Sequence, residues 1–164
     1  YMLATPLQLA RATMLLANKG RGYKLHLLKS MTSAGQTTDY TPTQIEDLKF
    51  AKKDWKLVDK AMQSVILAPD GTGEHFGRNP PYSVAAKTGT AQLYSHTRDE
   101  ENTNTAIPEK LRNNHLFIAF APVKNPQIVV AVVVEHAAKA AMVARKIIDA
   151  DWANNNHFKN KYRG

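Results

Sequence analysis

The sequence predicts an α/β (α+β) domain with a mainly antiparallel sheet that is flanked by helices. Residues 116–121 and 128–134 are apolar at nearly every position, a pattern typical of interior strands covered by helices on both faces. Lys124-Asn125-Pro126 makes the turn between them. With 164 residues and 43% hydrophobic content, the chain supports one domain, predicted over residues 1–152, and a basic polar tail over residues 153–164.

The first helix has a well-specified start. Thr5 and Gln8 match the Thr-x-x-Gln capping box, Pro6 occupies the first helical position, and Gly20 is placed to stop the helix. Apolar residues recur at helical spacing and predict one face buried in the core. The residues on that predicted face are Leu3, Leu7, Ala10, Met14 and Ala17.

Two less regular segments and a second helix follow. Residues 25–31 predict an edge strand, and the polar, turn-rich residues 32–43 predict a loop. Helical spacing returns over residues 54–67 and predicts packing against the core. Its apolar stripe consists of Trp55, Val58, Met62 and Val65.

The segment Pro69-Asp70-Gly71-Thr72-Gly73 predicts a turn, because its glycines accept backbone angles closed to other residues. It resembles a phosphate-binding loop only superficially, since no Gly-Lys-Ser or Gly-Lys-Thr follows it. Residues 93–109 predict a long polar loop beside the functional cleft. Residues 138–150 predict a terminal helix lying on the sheet. The predicted buried face of this helix comprises Ala140, Val143, Ala144, Ile147 and Ile148.

The most informative motif is Lys87-Thr88-Gly89-Thr90, within a run of small and β-branched residues over 82–92 that predicts a strand. Side chains alternate across a strand, so Lys87 and Gly89 share one face and Thr88 and Thr90 the other, unless a bulge intervenes. Such a strand offers a cation, two hydroxyls for a substrate carboxylate and a backbone N–H for an oxyanion. Without a Cβ, Gly89 lets a substrate backbone pair with the strand edge. By chance, three specified residues occur in a chain of this length on the order of a few per cent of the time.

Penicillin-recognising serine acyltransferases combine such a motif with Ser-x-x-Lys, which carries the nucleophile, and with Ser-Asp-Asn. No serine here has lysine three positions later or asparagine two positions later. The five serines are Ser30, Ser33, Ser64, Ser83 and Ser95. A Ser-Lys acylation centre therefore cannot be assembled from this sequence alone.

Other parts of the chain resemble the transpeptidase domain of class B penicillin-binding proteins. Residues 4–12 and 15–20 look like the helix after the second motif of that family, and residues 115–122 and 125–132 resemble its closing hairpin. Helix, Lys-Thr-Gly strand and hairpin occur in the family's order and spacing from Tyr1 to about residue 152. The likeness is closest to the elongation-specific penicillin-binding protein 2 group, and it implies a partial penicillin-binding/β-lactamase-like fold.

The resemblance implies D,D-transpeptidation of peptidoglycan stem peptides through an acyl-serine intermediate, with β-lactams as donor mimics. It assigns proton-relay and electrostatic roles to Lys87 and makes the Thr90 N–H one half of the oxyanion hole. Thr88 and Thr90 become hydroxyl donors to the substrate carboxylate, and Gly89 becomes the close-approach position. The nucleophile and the middle motif are expected before Tyr1.

Further expectations concern partners and location. The upstream part of the same domain is expected to pack against this chain, because the isolated polypeptide would leave apolar surface uncovered. A companion chain or a swapped dimer would cover the same surface. The resemblance implies that the parent protein lies on the periplasmic side of the bacterial inner membrane and is anchored by an upstream segment. No apolar run in this sequence approaches the roughly 20 residues that span a bilayer.

The composition bears on whether the protein binds a metal, a cofactor or a nucleic acid. There is no cysteine, and the six histidines show no HExxH pattern or i, i+4 helical pair, so neither metal nor cofactor is expected. The net charge of +8 suggests binding to nucleic acid. However, the lysines near residue 50 are interleaved with aspartates, which is typical of a solvent-exposed helix face. Two alternatives stay open, a sensor module with a β-lactam-type fold and a basic nucleic-acid-binding domain.

Overall fold

The computed structural model describes residues 3–92 and 108–154. Its described elements combine helices with antiparallel strands, as the sequence predicts. The helices are α1 (Pro6–Ala17), α2 (Lys52–Leu67) and α3 (Ala140–Asn154). The strands are β1 (Arg21–Tyr23), β2 (Ser30–Ser33), β3 (Gln36–Asp39), β4 (Gln44–Asp47), β5 (Ala85–Ala91), β6 (Asn114–Ala121) and β7 (Ile128–Val134).

The main sheet has the strand order β5-β6-β7, and both pairings are antiparallel. β5 is an edge strand among the described residues, with β6 as its neighbour. The β5–β6 register runs without a shift from the Ala85–Phe120 pair to the Ala91–Asn114 pair. Side chains therefore alternate regularly between the two faces along β5.

Helices cover both faces of the sheet, which confirms the prediction of interior strands. On one face, Phe117 of β6 and Val132 of β7 join a buried cluster with Ile148 of α3. On the other face, Phe120 packs with Ala17 of α1 and with α2. Because the apolar side chains of β6 project alternately into two cores, its sequence reads as a continuous hydrophobic run.

The start and the end of α1 follow the sequence signals. The Gln8 N–H donates to Thr5 Oγ1 (3.2 Å), and the Thr5 N–H donates to Gln8 Oε1 (2.7 Å), so the predicted capping box is confirmed. After the helix, Gly20 has a φ of +91°. A Cβ there would lie 2.3 Å from the Leu48 carbonyl oxygen, so this position requires glycine for its backbone angle and for space.

The predicted buried faces of α1 and α3 are partly wrong. Leu3 and Leu7 are 92% and 63% exposed, and the fully buried residues of α1 are Thr13 and Ala17. The Thr13 hydroxyl is satisfied because it donates to the Leu9 carbonyl (2.7 Å). In α3, Val143 and Ile147 are exposed. Each helix contacts the sheet along a stripe narrower than its apolar face.

The predictions for residues 25–31 and 32–43 are wrong. The strand β2 lies later, and it pairs with β3 in a hairpin whose turn residues, Ala34 and Gly35, both have positive φ. Every residue of both strands is exposed. Turn geometry therefore defines this hairpin, and no apolar alternation marks it in the sequence.

The predictions for α2, β5 and α3 are confirmed, and α2 begins at Lys52, two residues before the predicted 54. The described part of α3 continues to Asn154, past the predicted domain end at 152. The predicted loop over 93–109, apart from its last two residues, and the rest of the predicted tail lie outside the described residues. Within the ranges that are described, no helix has the length and apolarity needed to cross a membrane.

A polar network ties α3 to the segment before β5. Tyr82 is 5% exposed, and its hydroxyl donates to Asp149 Oδ1 at 2.7 Å. The Arg145 Nε–H donates to both carboxylate oxygens of Asp149, at 2.8 and 2.7 Å. Burial, followed by the hydrogen bond and the charge of Asp149, raises the pKa of the Tyr82 phenol well above its ordinary value.

This raised pKa predicts a loss of stability at high pH. An unfolded chain ionises the Tyr82 phenol near pH 10, whereas the folded chain keeps it neutral. The contribution of this group is therefore complete below about pH 10 and declines as pH rises further. We expect the free energy of unfolding, measured by urea titration at several pH values, to fall more steeply above pH ~10 in the native chain than in Tyr82→Phe. Identical slopes would contradict this role.

Candidate active site

The Lys87-Thr88-Gly89-Thr90 motif occupies the middle and outer part of β5. The strand begins in the core with Ala85 and Ala86, both 0% exposed, and is accessible to solvent from Lys87 onward. Lys87 and Thr90 are exposed, while Thr88 and Gly89 are half-buried. The motif therefore lies on an accessible strand for which β6 is the one neighbour among the described residues, and the outward backbone of such an edge strand is suited to pairing with an extended peptide.

The unbroken register fixes the face of each motif residue. Lys87 and Gly89 pair across the ladder with Ile118 and Leu116, and Thr88 and Thr90 occupy the alternate positions. The predicted alternation therefore holds, without a bulge. A Cβ built on Gly89 would lie 3.3 Å from Leu116 Cβ, so a larger residue there would displace its cross-strand neighbour.

The Lys87 ammonium donates to the backbone carbonyl of Thr88 at 2.8 Å. Among the described residues no carboxylate forms a salt bridge with it. A cation held along a strand edge by one carbonyl keeps donors for another partner, since an ammonium carries three N–H bonds. Lys87 can thus offer positive charge to an anion that approaches this edge.

Thr72 is the site residue that the sequence did not single out. Its Oγ1 lies 2.8 Å from Thr88 Oγ1, which joins the turn over residues 69–73 to the motif. The turn is fixed because the Gly73 N–H donates to the Val65 carbonyl (2.8 Å), and a Cβ on Gly71 would lie 2.5 Å from that oxygen. The Gly71-Thr72-Gly73 pattern marked a tight turn, but it gave no indication of the contact with Thr88.

No Ser-Lys centre forms among the described residues. The hydroxyl oxygen of Ser83 accepts from the Val123 N–H (3.0 Å), and the Ser64 hydroxyl donates to the Ala61 carbonyl (2.7 Å). Ser30 and Ser33 lie at the ends of the exposed strand β2. Ser83 precedes Lys87 by four residues, which is about 13 Å along an extended chain.

The histidines and carboxylates of the described ranges, 3–92 and 108–154, do not cluster as metal ligands. No group of three or more histidine, aspartate or glutamate side chains there could hold an ion. His136 Nδ1 lies 3.2 Å from the Arg112 carbonyl oxygen, and His75 Nε2 lies 3.9 Å from Glu74 Oε1. The chemistry that these described side chains offer is hydrogen bonding and charge.

Comparison with known proteins gives a consistent result over nearly the whole chain. Residues 2–150 match the family described as the penicillin binding protein transpeptidase domain. The chain is 38% identical over 157 residues to peptidoglycan D,D-transpeptidase MrdA of Salmonella typhimurium. The aligned region covers 91% of this chain and 25% of that protein. The chain therefore spans about a quarter of the length of the curated relatives that it matches.

Two solved structures share the fold. Pseudomonas aeruginosa PBP2, in complex with WCK 5153, is 36% identical with a TM-score of 0.68, over 96% of this chain and 32% of that one. Penicillin-binding protein A from Mycobacterium tuberculosis, as an imipenem acyl-enzyme complex, is 25% identical with a TM-score of 0.66. That match covers 91% of this chain and 31% of the other.

Proposed function

Because the chain belongs to the penicillin-binding protein transpeptidase family, we propose that it forms one wall of the active site of a peptidoglycan D,D-transpeptidase. The observation that carries the proposal is the position of Lys87 to Thr90 on the edge strand β5, with the side chains of Lys87 and Thr90 exposed. Similarity to MrdA and to PBP2 confirms the predicted likeness to the penicillin-binding protein 2 group.

In the proposed reaction, a serine oxygen attacks the penultimate D-alanine carbonyl of a stem peptide, and D-alanine leaves. An amine from a neighbouring stem peptide then attacks the acyl-serine, forms the new amide and releases the serine. Lys87 acts as the cation of the proton relay, and the Thr90 N–H stabilises the oxyanion. Thr88 and Thr90 bind the substrate carboxylate by their hydroxyls, and Gly89 allows the donor backbone to approach β5.

The nucleophile is proposed to come from residues outside the 164 of this sequence, since no Ser-x-x-Lys occurs within it. Exposed apolar side chains offer the surface on which that part of the domain would pack. Leu3, Leu7 and Leu27 are among these exposed side chains, and Leu27 is fully exposed. In the cell, the same assignment places the protein on the periplasmic face of the inner membrane, with stem peptides as substrates and β-lactams as inhibitors.

Labelling with a fluorescent penicillin tests the division of the active site. The 164-residue chain alone is expected to acquire no covalent label, because it lacks the attacking serine of a Ser-Lys pair. A polypeptide that joins this chain to the nucleophile-bearing segment of the domain is expected to be labelled, and unlabelled penicillin should compete. Stable labelling of the isolated chain, detected on a denaturing gel, would overturn the assignment of the missing nucleophile.

Thr72→Val tests whether the turn positions the motif. Valine keeps the shape of threonine but removes the hydroxyl 2.8 Å from Thr88 Oγ1, so the Thr88 hydroxyl loses its partner. One hydrogen bond is worth about 0.5–1.5 kcal/mol, so the acylation efficiency of the joined polypeptide is expected to fall about 2- to 12-fold.

The control for this experiment is Thr37→Val. It removes a matched hydroxyl pair, Thr32 Oγ1 to Thr37 Oγ1 at 2.9 Å, in the β2–β3 hairpin. The acylation efficiency of this control is expected to stay at the native value. Equal acylation of the Thr72 variant and native protein would remove Thr72 from the site.

A further inference from the structure

A second concave site lies at the end of the sheet where β5 begins and β6 ends. Its volume is about 880 Å³, within the range of pockets that hold small organic molecules. Segments on either side of the sheet and one face of α2 meet there. Its lining includes Lys56, Lys60, Tyr82, Pro122, Lys124 and Trp152.

Contacts between these segments hold the walls in place. The Val123 N–H donates to Ser83 Oγ (3.0 Å), which joins the turn after β6 to the approach to β5. The rings of Tyr82 and Trp152 are 5.2 Å apart, and Tyr82 is anchored by Asp149. The cavity is therefore preformed, so a ligand would not need to order its walls.

The rim of the cavity carries an excess of positive charge. Lys19 is paired with Asp59, the single acidic residue of the lining, at 2.5 Å. Lys56, Lys60 and Lys124 are exposed, and none of them forms a salt bridge with another described residue. Three ammonium groups thus stand beside a cavity whose interior is mainly apolar, formed in part by Pro122 and Trp152.

We propose that this cavity binds a small organic anion that has an aromatic or other apolar body and a carboxylate or phosphate group. The apolar body would lie against Pro122, Tyr82 and Trp152, while the anionic group would reach the lysines at the rim. The tail after Asn154 is a poor alternative occupant, because Lys159, Lys161 and Arg163 carry the same charge as the rim.

The cavity is distinct from the motif on β5. Ser83 precedes Lys87 by four residues and Thr90 by seven, which correspond to about 13 Å and about 23 Å along an extended strand. A ligand here would leave the edge at Lys87 to Thr90 accessible. The proposal therefore stands whether or not the chain belongs to a working transpeptidase.

Titration of the complete 164-residue chain with 2-naphthoate tests the site, with neutral 2-naphthamide as the matched probe. Isothermal calorimetry is expected to show at least about tenfold tighter binding of the naphthoate, because the amide keeps the rings and lacks the charge. In proton–nitrogen NMR spectra, naphthoate should shift the indole signal of Trp152. The indole signal of Trp55 should stay unchanged, because Trp55 does not line the cavity.

Two double variants on α2 separate the rim from general surface charge. Lys56→Gln with Lys60→Gln is expected to weaken naphthoate binding about 5- to 10-fold. Lys52→Gln with Lys53→Gln removes the same charge outside the cavity and is expected to leave the affinity within about twofold of native. All four lysines are exposed on one helix, so the fold should tolerate both changes.

Three results would overturn the proposal. They are absence of naphthoate binding, equal affinity for the amide, and equal weakening by the two double variants. If the first result is accompanied by binding to phosphatidylglycerol vesicles, the lysines belong to a membrane-binding surface instead.

Discussion

Replacing Lys87 with alanine is expected to reduce acylation of the joined polypeptide by penicillin by about 10²- to 10⁴-fold, the usual contribution of a positioned proton-transfer group. Lys87 is exposed on the edge strand and donates only to the Thr88 carbonyl among described partners. In the proposed reaction, its loss would remove a positive charge from the place where negative charge develops. The second-order acylation rate with a fluorescent penicillin measures the effect.

Lys53→Ala is the matched control, because Lys53 is exposed on α2 and lines neither site. Its acylation rate is expected to equal the native rate. Lys87→Arg keeps the charge but changes the geometry, since a guanidinium is planar and does not lose its proton. Recovery by arginine would restrict Lys87 to an electrostatic role, and a native rate in the alanine variant would remove Lys87 from the proposed machinery.

The second large effect is on stability. Ile148→Ala is expected to lower the free energy of unfolding by about 2–5 kcal/mol, because a fully buried aliphatic side chain leaves a cavity when it is truncated. Ile148 is 1% exposed and belongs to the cluster between α3 and the sheet. Urea unfolding followed by circular dichroism measures the change.

The neighbouring residue supplies the control. Ile147 is 43% exposed, so Ile147→Ala is expected to cost less than about 1 kcal/mol. Both variants remove the same atoms from adjacent residues of the same helix, and they differ mainly in what surrounds the side chain. Similar losses in the two variants would mean that α3 faces the sheet differently from the arrangement described above.

Prediction succeeded where local chemistry alone decides the structure. The capping box of Thr5 and Gln8 specified the start of α1, and the doubly apolar runs specified β6 and β7, whose two faces are both covered by helices. The placement of Lys87 to Thr90 on a strand was also predictable from the β-branched and small residues around it.

Prediction failed where the outcome depends on which surfaces meet. Leu7 and Ile147 fit the helical periodicity of their helices, yet the sheet contacts other positions. The hairpin β2–β3 has no buried face, so its sequence carries turn chemistry without periodicity. The Thr72–Thr88 contact links residues 16 positions apart, and a turn pattern does not specify its partner.

The strand β5 divides into an anchored part and an exposed part within a few residues. Ala85 and Ala86 are 0% exposed, whereas Lys87 and Thr90 are exposed. Enlarging either alanine would overpack a core, so natural variation there is limited by folding. Variation at Lys87 and Thr90 is expected to leave the packing largely intact, because both side chains are exposed. Substitutions at the exposed positions can therefore test the proposed site separately from the fold, because the anchored part keeps the strand in register.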